Sequence, residues 1–248
     1  MASYLLAPHV YTCVTDDHVI LLDLQRDKYL GVDREQMSAL AAHVKGWPVS
    51  DLTAGNGADA SAGGETCPSN ARADAVLARM LAAGMLTTDT AIGKEAHPLV
   101  IERTEAALVE AELETQPGVA FVHVVRFLRA SLLTALAMRW RSIEAVVAST
   151  EARKARGIAR GASMDLDAAR AAVGAFIRLR PLLFGAQDAC LFDSLALVRY
   201  LSYFRLFPLC VIGVQTAPFG AHCWVQEGAL VFNDAPEHVR RFTPILAV

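Results

Sequence analysis

The sequence predicts an α+β fold, because strand-like and helix-like segments are grouped along the chain and do not alternate. Three strand-like runs come first, and helical patterns follow them within the first 95 residues. More helical patterns then precede a second set of strand-like runs near the carboxyl end. We therefore predict two domains, residues 1–95 and 96–248.

Composition excludes several classes of protein. The 248 residues are 54% apolar and 20% charged, which is enough apolar surface for a packed core. The net charge of -3 comes without a basic block, so nucleic acid is not expected as a partner. The amino terminus lacks the features of a signal peptide, and the five cysteines have no C-x-x-C spacing. These features predict a cytoplasmic protein with reduced thiols.

The first domain begins with strands at residues 10–14, 19–24 and 29–32. Asp33 is then placed to cap a helix that Gly46 and Pro48 end. The glycine-rich stretch 50–69 predicts a loop, and Asn70 is placed to cap the next helix. That helix has an apolar stripe that includes Val76, Leu77 and Met80, and a short strand is predicted at residues 86–89.

Three features are predicted between residues 96 and 181. Apolar residues at helical spacing trace a stripe from Phe121 through Val125, Leu128 and Leu132 to Leu136. Charged residues interrupt the apolar region 119–138, so no membrane span is expected there. The basic stretch 153–160 predicts an exposed loop, after which Asp165 is placed to cap a helix buried through Leu166, Ala169, Val173, Phe176 and Ile177.

Cys190 opens the next helical run, C-L-F-D-S-L-A-L-V-R-Y-L. Asp188 is placed to cap this helix, which puts Cys190 in the first turn. Free backbone N–H groups and the positive helix end favour a thiolate there. Gln187 is a candidate donor to an oxyanion, together with the Cys190 N–H.

A strand at residues 211–214, a turn at 218–220 and a hairpin around Gly228 follow. If the hairpin loop has three residues centred on Gly228, His222 directly faces Asp234. A two-residue loop at 227–228 would instead oppose His222 to Asn233. With Cys190, this pair supplies a nucleophile, a base and an orienting carboxylate.

The motifs C-L-F-D-S-L, I-G-V-x-x-x-P-F-x-A-H-C-W-V and N-D resemble those of the leader peptidases of lasso-peptide biosynthesis, which are transglutaminase-like cysteine proteases. The resemblance implies that Cys190 is the nucleophile, His222 the base and Asp234 the third member of a triad. It departs from the family at Cys223, where alanine is expected. It also implies a papain- or transglutaminase-like fold for the second domain, with the nucleophile on a helix and the base on a sheet.

The first domain resembles the winged-helix-like element that binds leader peptides in enzymes that modify ribosomal peptides. In that family the leader adds a strand beside the third strand and lies against the last helix of the element. The positions that correspond to these contacts are Lys28, Tyr29, Leu30, Val32, Val76, Leu77 and Met80. The resemblance further implies two partners, the precursor peptide and an asparagine-synthetase-like cyclase that uses ATP to close the ring of the core peptide.

Other functions remain open at this stage. A transglutaminase-like acyltransferase would use the same triad, and a noncatalytic leader-binding scaffold would not need Cys190. Neighbouring strand residues point to opposite faces, so His222 and Cys223 are not expected to share a metal ion, and no metal or cofactor is predicted. The remaining cysteines and histidines, including Cys210 and His238, are interpreted as core or surface residues.

Overall fold

A computed structural model describes residues 3–15, 18–48, 68–108, 118–183 and 189–248, without the side chains of residues 34, 35, 38, 39 and 68–73. The chain forms two compact units, Met1–Leu99 and Val100–Val248. The predicted domain division, after residue 95, lies close to this boundary. Both units combine helices with strands, and the predicted α+β class is confirmed.

Unit 1 contains two small antiparallel sheets and two helices. Its elements are β1 (Leu5–Leu6), β2 (Val10–Val14), β3 (His18–Asp23), β4 (Lys28–Asp33), α1 (Arg34–Ala41), α2 (Pro68–Ala82) and β5 (Leu86–Thr87). The three predicted strands form one sheet in the order β2-β3-β4, and β1 pairs with β5. Strand β4 therefore lies at one edge of the three-stranded sheet.

The helices of unit 1 follow the predicted signals in part. The Asp33 side chain accepts the N–H of Gln36 at 3.0 Å, as expected of an N-cap. Helix α1 ends at Ala41, earlier than predicted. Helix α2 begins at Pro68 and not after Asn70, because proline suits a first helical position where no N–H partner is needed. Of the predicted loop, residues 50–67 lie outside the described part of the chain.

Unit 2 contains five helices and a five-stranded sheet in the described ranges. Its elements are β6 (Ala106–Ala107), α3 (Phe121–Trp140), α4 (Ile143–Ala159), α5 (Leu166–Leu179), α6 (Cys190–Ser202), β7 (Leu209–Thr216), β8 (Phe219–Glu227), β9 (Leu230–Val231), α7 (Pro236–Val239) and β10 (Thr243–Ala247). A short 3₁₀ turn, Arg180–Leu182, follows α5.

Helix α3 forms as predicted, but most of its predicted apolar stripe is exposed. Phe121 is 79% exposed and Leu132 60% exposed, whereas Phe127, Ala130 and Thr134 are buried. Helix α3 packs against α6 and α5, so its buried face is set by these neighbours and carries smaller side chains. Within the described ranges, α3 is the one helix whose length and apolar composition would be sufficient to cross a membrane. That property alone does not establish a span, and the absence of a span stays a prediction.

The basic stretch 153–160 is not a loop. It forms the second half of α4, which Ser142 caps by accepting the N–H of Ala145 at 3.3 Å. Charged residues of this kind have good helix propensity, so their charge does not end a helix. The cap predicted for α5 is present, since Asp165 accepts the N–H groups of Asp167 and Ala168. Leu166, expected in the core, is 42% exposed.

The sheet of unit 2 has the strand order β10-β7-β8-β9-β6, in which only the β6–β9 pair is parallel. The loop between β7 and β8 consists of Ala217 and Pro218, so Phe219 and Gly220 belong to β8 and not to the predicted turn. Helix α6 packs against β8. This contact brings the helix that starts at Cys190 beside the strand that carries His222.

Candidate active site

Cys190 is the first residue of α6, and it is half-buried. The residue at the N-cap position is Ala189, whose side chain makes no capping hydrogen bond. Both Asp188 and Gln187 lie outside the described residues. The N–H groups of the first turn and the positive end of the helix still favour a thiolate at Cys190.

His222 lies on β8, and its Nε2 is 2.5 Å from Oδ2 of Asp234. The Cys190 thiol interacts with the same imidazole, and this interaction lowers the pKa of the thiol. Because Asp234 occupies Nε2, the nitrogen left for the thiol is Nδ1. The structure thus brings together the three side chains that the sequence indicated, in the order thiol, imidazole, carboxylate.

The hairpin loop that carries this pair has two residues, Gly228 and Ala229. Gly228 has a φ of +55°, in the left-handed region that favours glycine, and the first position of a two-residue hairpin loop commonly requires such a conformation. Both predicted registers, with a three-residue loop and with a loop at residues 227–228, are therefore wrong.

The contact between His222 and Asp234 has a different origin from the one predicted. Strand pairing continues to Phe232, whose N–H donates to the Val225 carbonyl at 2.8 Å, and the chain then bends. Asp234 follows this bend and is not a directly opposed strand residue. A turn of the backbone after the ladder, and not the ladder itself, brings the carboxylate to the imidazole.

Asn233 holds that bend against α6 and β8. Its Nδ2 donates to Oδ2 of Asp193 at 2.8 Å and to Oγ of Ser194 at 3.1 Å, while its Oδ1 accepts the N–H of Val225 at 2.8 Å. Ser194 in turn donates to the Cys223 carbonyl at 3.0 Å. No role was predicted for these residues from the sequence, although Asp193, Ser194 and Asn233 lie in the motifs C-L-F-D-S-L and N-D.

Asp193 is buried three residues after the cysteine, and burial raises the pKa of its carboxyl despite the hydrogen bonds from Asn233 and Arg180. Arg180 lies 3.4 Å from Oδ2, while Oδ1 has no hydrogen-bond partner among the residues that the structure describes. The carboxyl therefore depends on its Oδ2 contacts for compensation of its burial.

His238 is a second imidazole on the same carboxylate. Its Nδ1 lies 2.9 Å from Oδ2 and 3.1 Å from Oδ1 of Asp234, and its ring centroid is 4.6 Å from that of His222. The interpretation of His238 as a core or surface residue without a role is therefore incomplete. The spacing of four residues between Asp234 and His238 could have indicated this contact. The spacing is informative only if a helix lies between the two residues, and the short helix α7 was not predicted.

The three groups shift one another's protonation. Hydrogen bonding to His222 lowers the pKa of the Cys190 thiol against the opposing effect of burial. Burial disfavours the charged form of His222, but its hydrogen bonds to Asp234 and Cys190 outweigh burial and raise its pKa to about 9. Burial likewise opposes the charge of Asp234, and the hydrogen bonds from His222, the Ala235 N–H and His238 outweigh it and lower its pKa. These shifts favour a thiolate beside an imidazolium.

One group of side chains has the composition of a metal site. Ligand atoms of His222, Asp234 and His238 lie within 4.8 Å of one another. The same atoms already serve as mutual hydrogen-bond partners. A metal bound among these atoms would replace the hydrogen bond between His222 Nε2 and Asp234, and a metal on Nε2 would prevent His222 from becoming an imidazolium.

Cys210 and Cys223 belong to the core of unit 2. Their sulfur atoms lie 3.6 Å apart, and both thiols are free. Hydrogen bonding to Cys210 and burial raise the pKa of Cys223 well above the ordinary thiol value. The substitution for the expected alanine therefore places an inert thiol behind the site.

The residues predicted to contact a leader differ in their accessibility. On β4, Lys28 is exposed and Tyr29 and Leu30 are partly buried, whereas the side chain of Val32 lies in the core. On α2, Val76 and Met80 are core residues and Leu77 packs against the same core. The side chains of Val32, Val76 and Met80 thus fill the interior of unit 1 and give no free contact surface. The apolar stripe on which the leader contact was predicted packs against the core of the unit instead.

Comparison with known proteins agrees with this fold. Residues 130–247 match the family model of the transglutaminase-like superfamily, so this part of unit 2 is a transglutaminase-like domain. The chain is also 49% identical, over 50 residues, to the microcin J25-processing protein McjB of Escherichia coli. That match covers 20% of this chain and 24% of the relative. The two matches confirm the resemblance to the leader peptidases of lasso-peptide biosynthesis. No solved structure matches the chain.

Proposed function

We propose that this protein is a cysteine peptidase that removes the leader from a ribosomally made precursor during lasso-peptide maturation. The observation that carries the proposal is the grouping of the Cys190 thiol, the His222 imidazole and the Asp234 carboxylate, with His222 Nε2 2.5 Å from Oδ2 of Asp234. The likeness to a transglutaminase-like domain and to a microcin-processing protein supports the same chemistry and substrate class.

The proposed reaction has two steps. The Cys190 thiolate attacks the carbonyl carbon of the scissile peptide bond, the C–N bond breaks, and the His222 imidazolium gives its proton to the leaving amine. This step frees the amino terminus of the core and leaves the leader as a thioester on sulfur. In the second step His222 takes a proton from water, the hydroxide attacks the thioester, and the thiol and the leader carboxylate are released. Asp234 keeps the ring oriented and stabilises its charge throughout.

Unit 1 is proposed to capture the leader. Strand β4 lies at the edge of its sheet, and an edge presents unpaired backbone groups to an added strand. Lys28, Tyr29 and Leu30 are the side chains on β4 that retain exposed surface for this role. The winged-helix-like character of the unit belongs to the same proposal, as does the assignment of Gln187 as an oxyanion donor.

The partners in this proposal are the precursor and an ATP-dependent cyclase that receives the freed core. The site of action is the cytoplasm, which the free thiols at Cys13, Cys190, Cys210 and Cys223 support.

Mass spectrometry of the precursor tests the proposal. The precursor is incubated with wild-type protein or Cys190→Ala, each with and without the cyclase and ATP. We expect a leader fragment that appears only with the wild type. For hydrolysis, the masses of the leader and the core together exceed the mass of the precursor by one water. Precursor binding without any fragment, in every condition, would instead support a noncatalytic scaffold.

A second function deserves the same assay, because the matched family is named for acyl transfer. A transglutaminase-like acyltransferase would use the same thioester and pass it to an amine. Adding a small primary amine to the reaction distinguishes the two: hydrolysis leaves a carboxylate on the leader, and transfer leaves an amide of the added amine.

A further inference from the structure

The basic stretch 153–160 has a structural setting that the peptidase proposal does not use. A cavity of about 370 Å³ lies at the end of α4 and the end of α6. Four arginines line it, Arg153, Arg156, Arg160 and Arg205, together with the ring of Phe207. The cavity lies at the opposite end of α6 from Cys190, which is ~18 Å away for a helix of this length.

The four arginines of this cavity form no ion pair within 4 Å among the described residues. Arg156 donates to the Ala152 carbonyl at 3.0 Å, and Arg205 donates to the Arg160 carbonyl at 2.6 Å. Burial and the positive charges of Arg199 and Arg156 lower the pKa of Arg153 to about 10. The Arg153 guanidinium therefore has other positively charged side chains as neighbours.

One carboxylate lies in the adjoining cavity. Glu227 lines that cavity together with Lys154, and the charge of Lys154 acts on it. Arg205 and Phe207 are shared by the two cavities. The acidic group is therefore matched by a lysine, and the four arginines remain in excess.

The floor of the cavity is specifically shaped. A Cβ atom at position 157 would lie 2.2 Å from the ring of Phe207, so Gly157 is needed for the ring to rest on α4. Arg205 has a φ of +63°, in the left-handed region where glycine is usual after a helix. The Arg205 side chain reaches the Arg160 carbonyl and lines the cavity from this conformation.

We infer that this cavity binds a polyphosphate anion, with the guanidinium groups of Arg153, Arg156, Arg160 and Arg205 as its ligands. Each guanidinium presents paired N–H donors that match two oxygens of a phosphate. A phosphate chain concentrates several charges within the cavity, whereas an acidic peptide carries at most one charge per residue of about 3.3 Å and directs alternate side chains apart. A volume of this size suits a small ligand.

Calorimetric titration with sodium tripolyphosphate, at low and at physiological ionic strength, tests the inference. The double variant Arg156→Ala/Arg160→Ala removes two exposed arginines, and Arg139→Ala, which lies before the start of α4, is the matched control. Wild type and control are expected to bind with the same affinity, and the double variant at least about tenfold more weakly. The double variant Arg156→Lys/Arg160→Lys keeps the positive charges but loses the paired N–H donors of the guanidinium groups. Its affinity is expected to lie between those of the wild type and of the double alanine variant. A thermal unfolding scan of each variant verifies that it is folded.

Two further ligands identify the source of the phosphate. A nucleoside triphosphate that binds more tightly than tripolyphosphate, with the same arginine dependence, indicates a nucleotide whose ring contacts Phe207; equal affinity indicates the phosphate chain alone. Either result supports the inference. No tripolyphosphate binding by wild type, equal binding by the double variant and the control, or tighter binding of a polyglutamate peptide at the same arginines would overturn it.

Discussion

Asn233 donates a hydrogen bond from Nδ2 to Oδ2 of Asp193, 2.8 Å away, and so joins the bend before Asp234 to the first turn of α6. The helix that begins at Cys190 and the loop that carries the carboxylate are thereby held together by residues that take no part in the proposed chemistry. The alignment of nucleophile and carboxylate depends on this buried polar network as well as on the strands.

Replacing Asn233 by alanine is expected to reduce both stability and activity. The change removes the shorter of the two Oδ2 contacts of the buried Asp193 carboxyl, which keeps only Arg180 at 3.4 Å, and leaves the Val225 N–H without its side-chain acceptor. We expect a cost of ~3 kcal/mol in the free energy of unfolding. Chemical denaturation measures this loss, and precursor cleavage by the folded fraction measures the effect on kcat. Glu237→Ala, an exposed residue in the following helix, is the control and should change neither quantity.

The pH profile of kcat/KM should be bell-shaped. Activity rises as the Cys190 thiol loses its proton, at a pH below the ordinary thiol value, because hydrogen bonding to His222 lowers its pKa. Activity falls when the His222 imidazolium loses its proton at a pH of about 9.

Asp234→Asn should move the basic limb of that profile to lower pH, because the charged partner that raises the pKa of His222 is lost. The maximal rate should also fall about 10³-fold, since the ring loses its orienting carboxylate. Asp167→Asn, at an exposed carboxylate of α5, is the control. An unchanged basic limb in Asp234→Asn would contradict the assignment of Asp234.

His238→Ala should reduce cleavage by less than about tenfold, because Asp234 keeps its hydrogen bonds to His222 and to the Ala235 N–H. Steady-state kinetics of precursor cleavage test this expectation. A loss as large as that of Asp234→Asn would mean that His238, and not only His222, takes part in proton transfer.

Alkylation should distinguish Cys190 from the buried thiols. With substoichiometric iodoacetamide at pH 6.5, Cys190 should be modified first, since it is partly exposed and its pKa is lowered. Cys13 and Cys223 are buried with raised pKa values and should stay unmodified in the folded protein. Peptide mapping by mass spectrometry identifies the site. Cys223→Ala should give the same labelling and nearly wild-type cleavage, because Cys223 contributes only packing.

Charge reversal at Lys28 tests the proposed leader edge. Lys28→Glu should weaken binding of a fluorescent synthetic leader, measured by anisotropy, if the leader adds beside β4. Arg139→Glu makes the same change of charge in unit 2 and should leave the affinity unaltered. Equal affinity of both variants would remove Lys28 from the proposed contact.

Features that depend on near neighbours in the chain were predictable from the sequence. Asp33 and Asp165 begin their helices through side-chain contacts two or three residues away, so the cap signal is local. The strands of unit 1 are apolar runs bounded by turn residues, and they pair as these turns predict. Likewise Cys190, His222 and Asp234 were identified by residue type and motif.

Tertiary packing decided the remaining features. The face of α3 that is buried depends on α5 and α6, and small residues such as Ala130 are buried while Leu132 is exposed. The bend that brings Asp234 to His222 depends on Asn233, whose partners lie 39 and 40 residues away in α6. The sequence by itself therefore determined the residue types from which the candidate site is built and where helices such as α1 and α5 begin. Only the folded chain determined how they meet, because contacts distant in sequence set the register, the buried faces and the polar network.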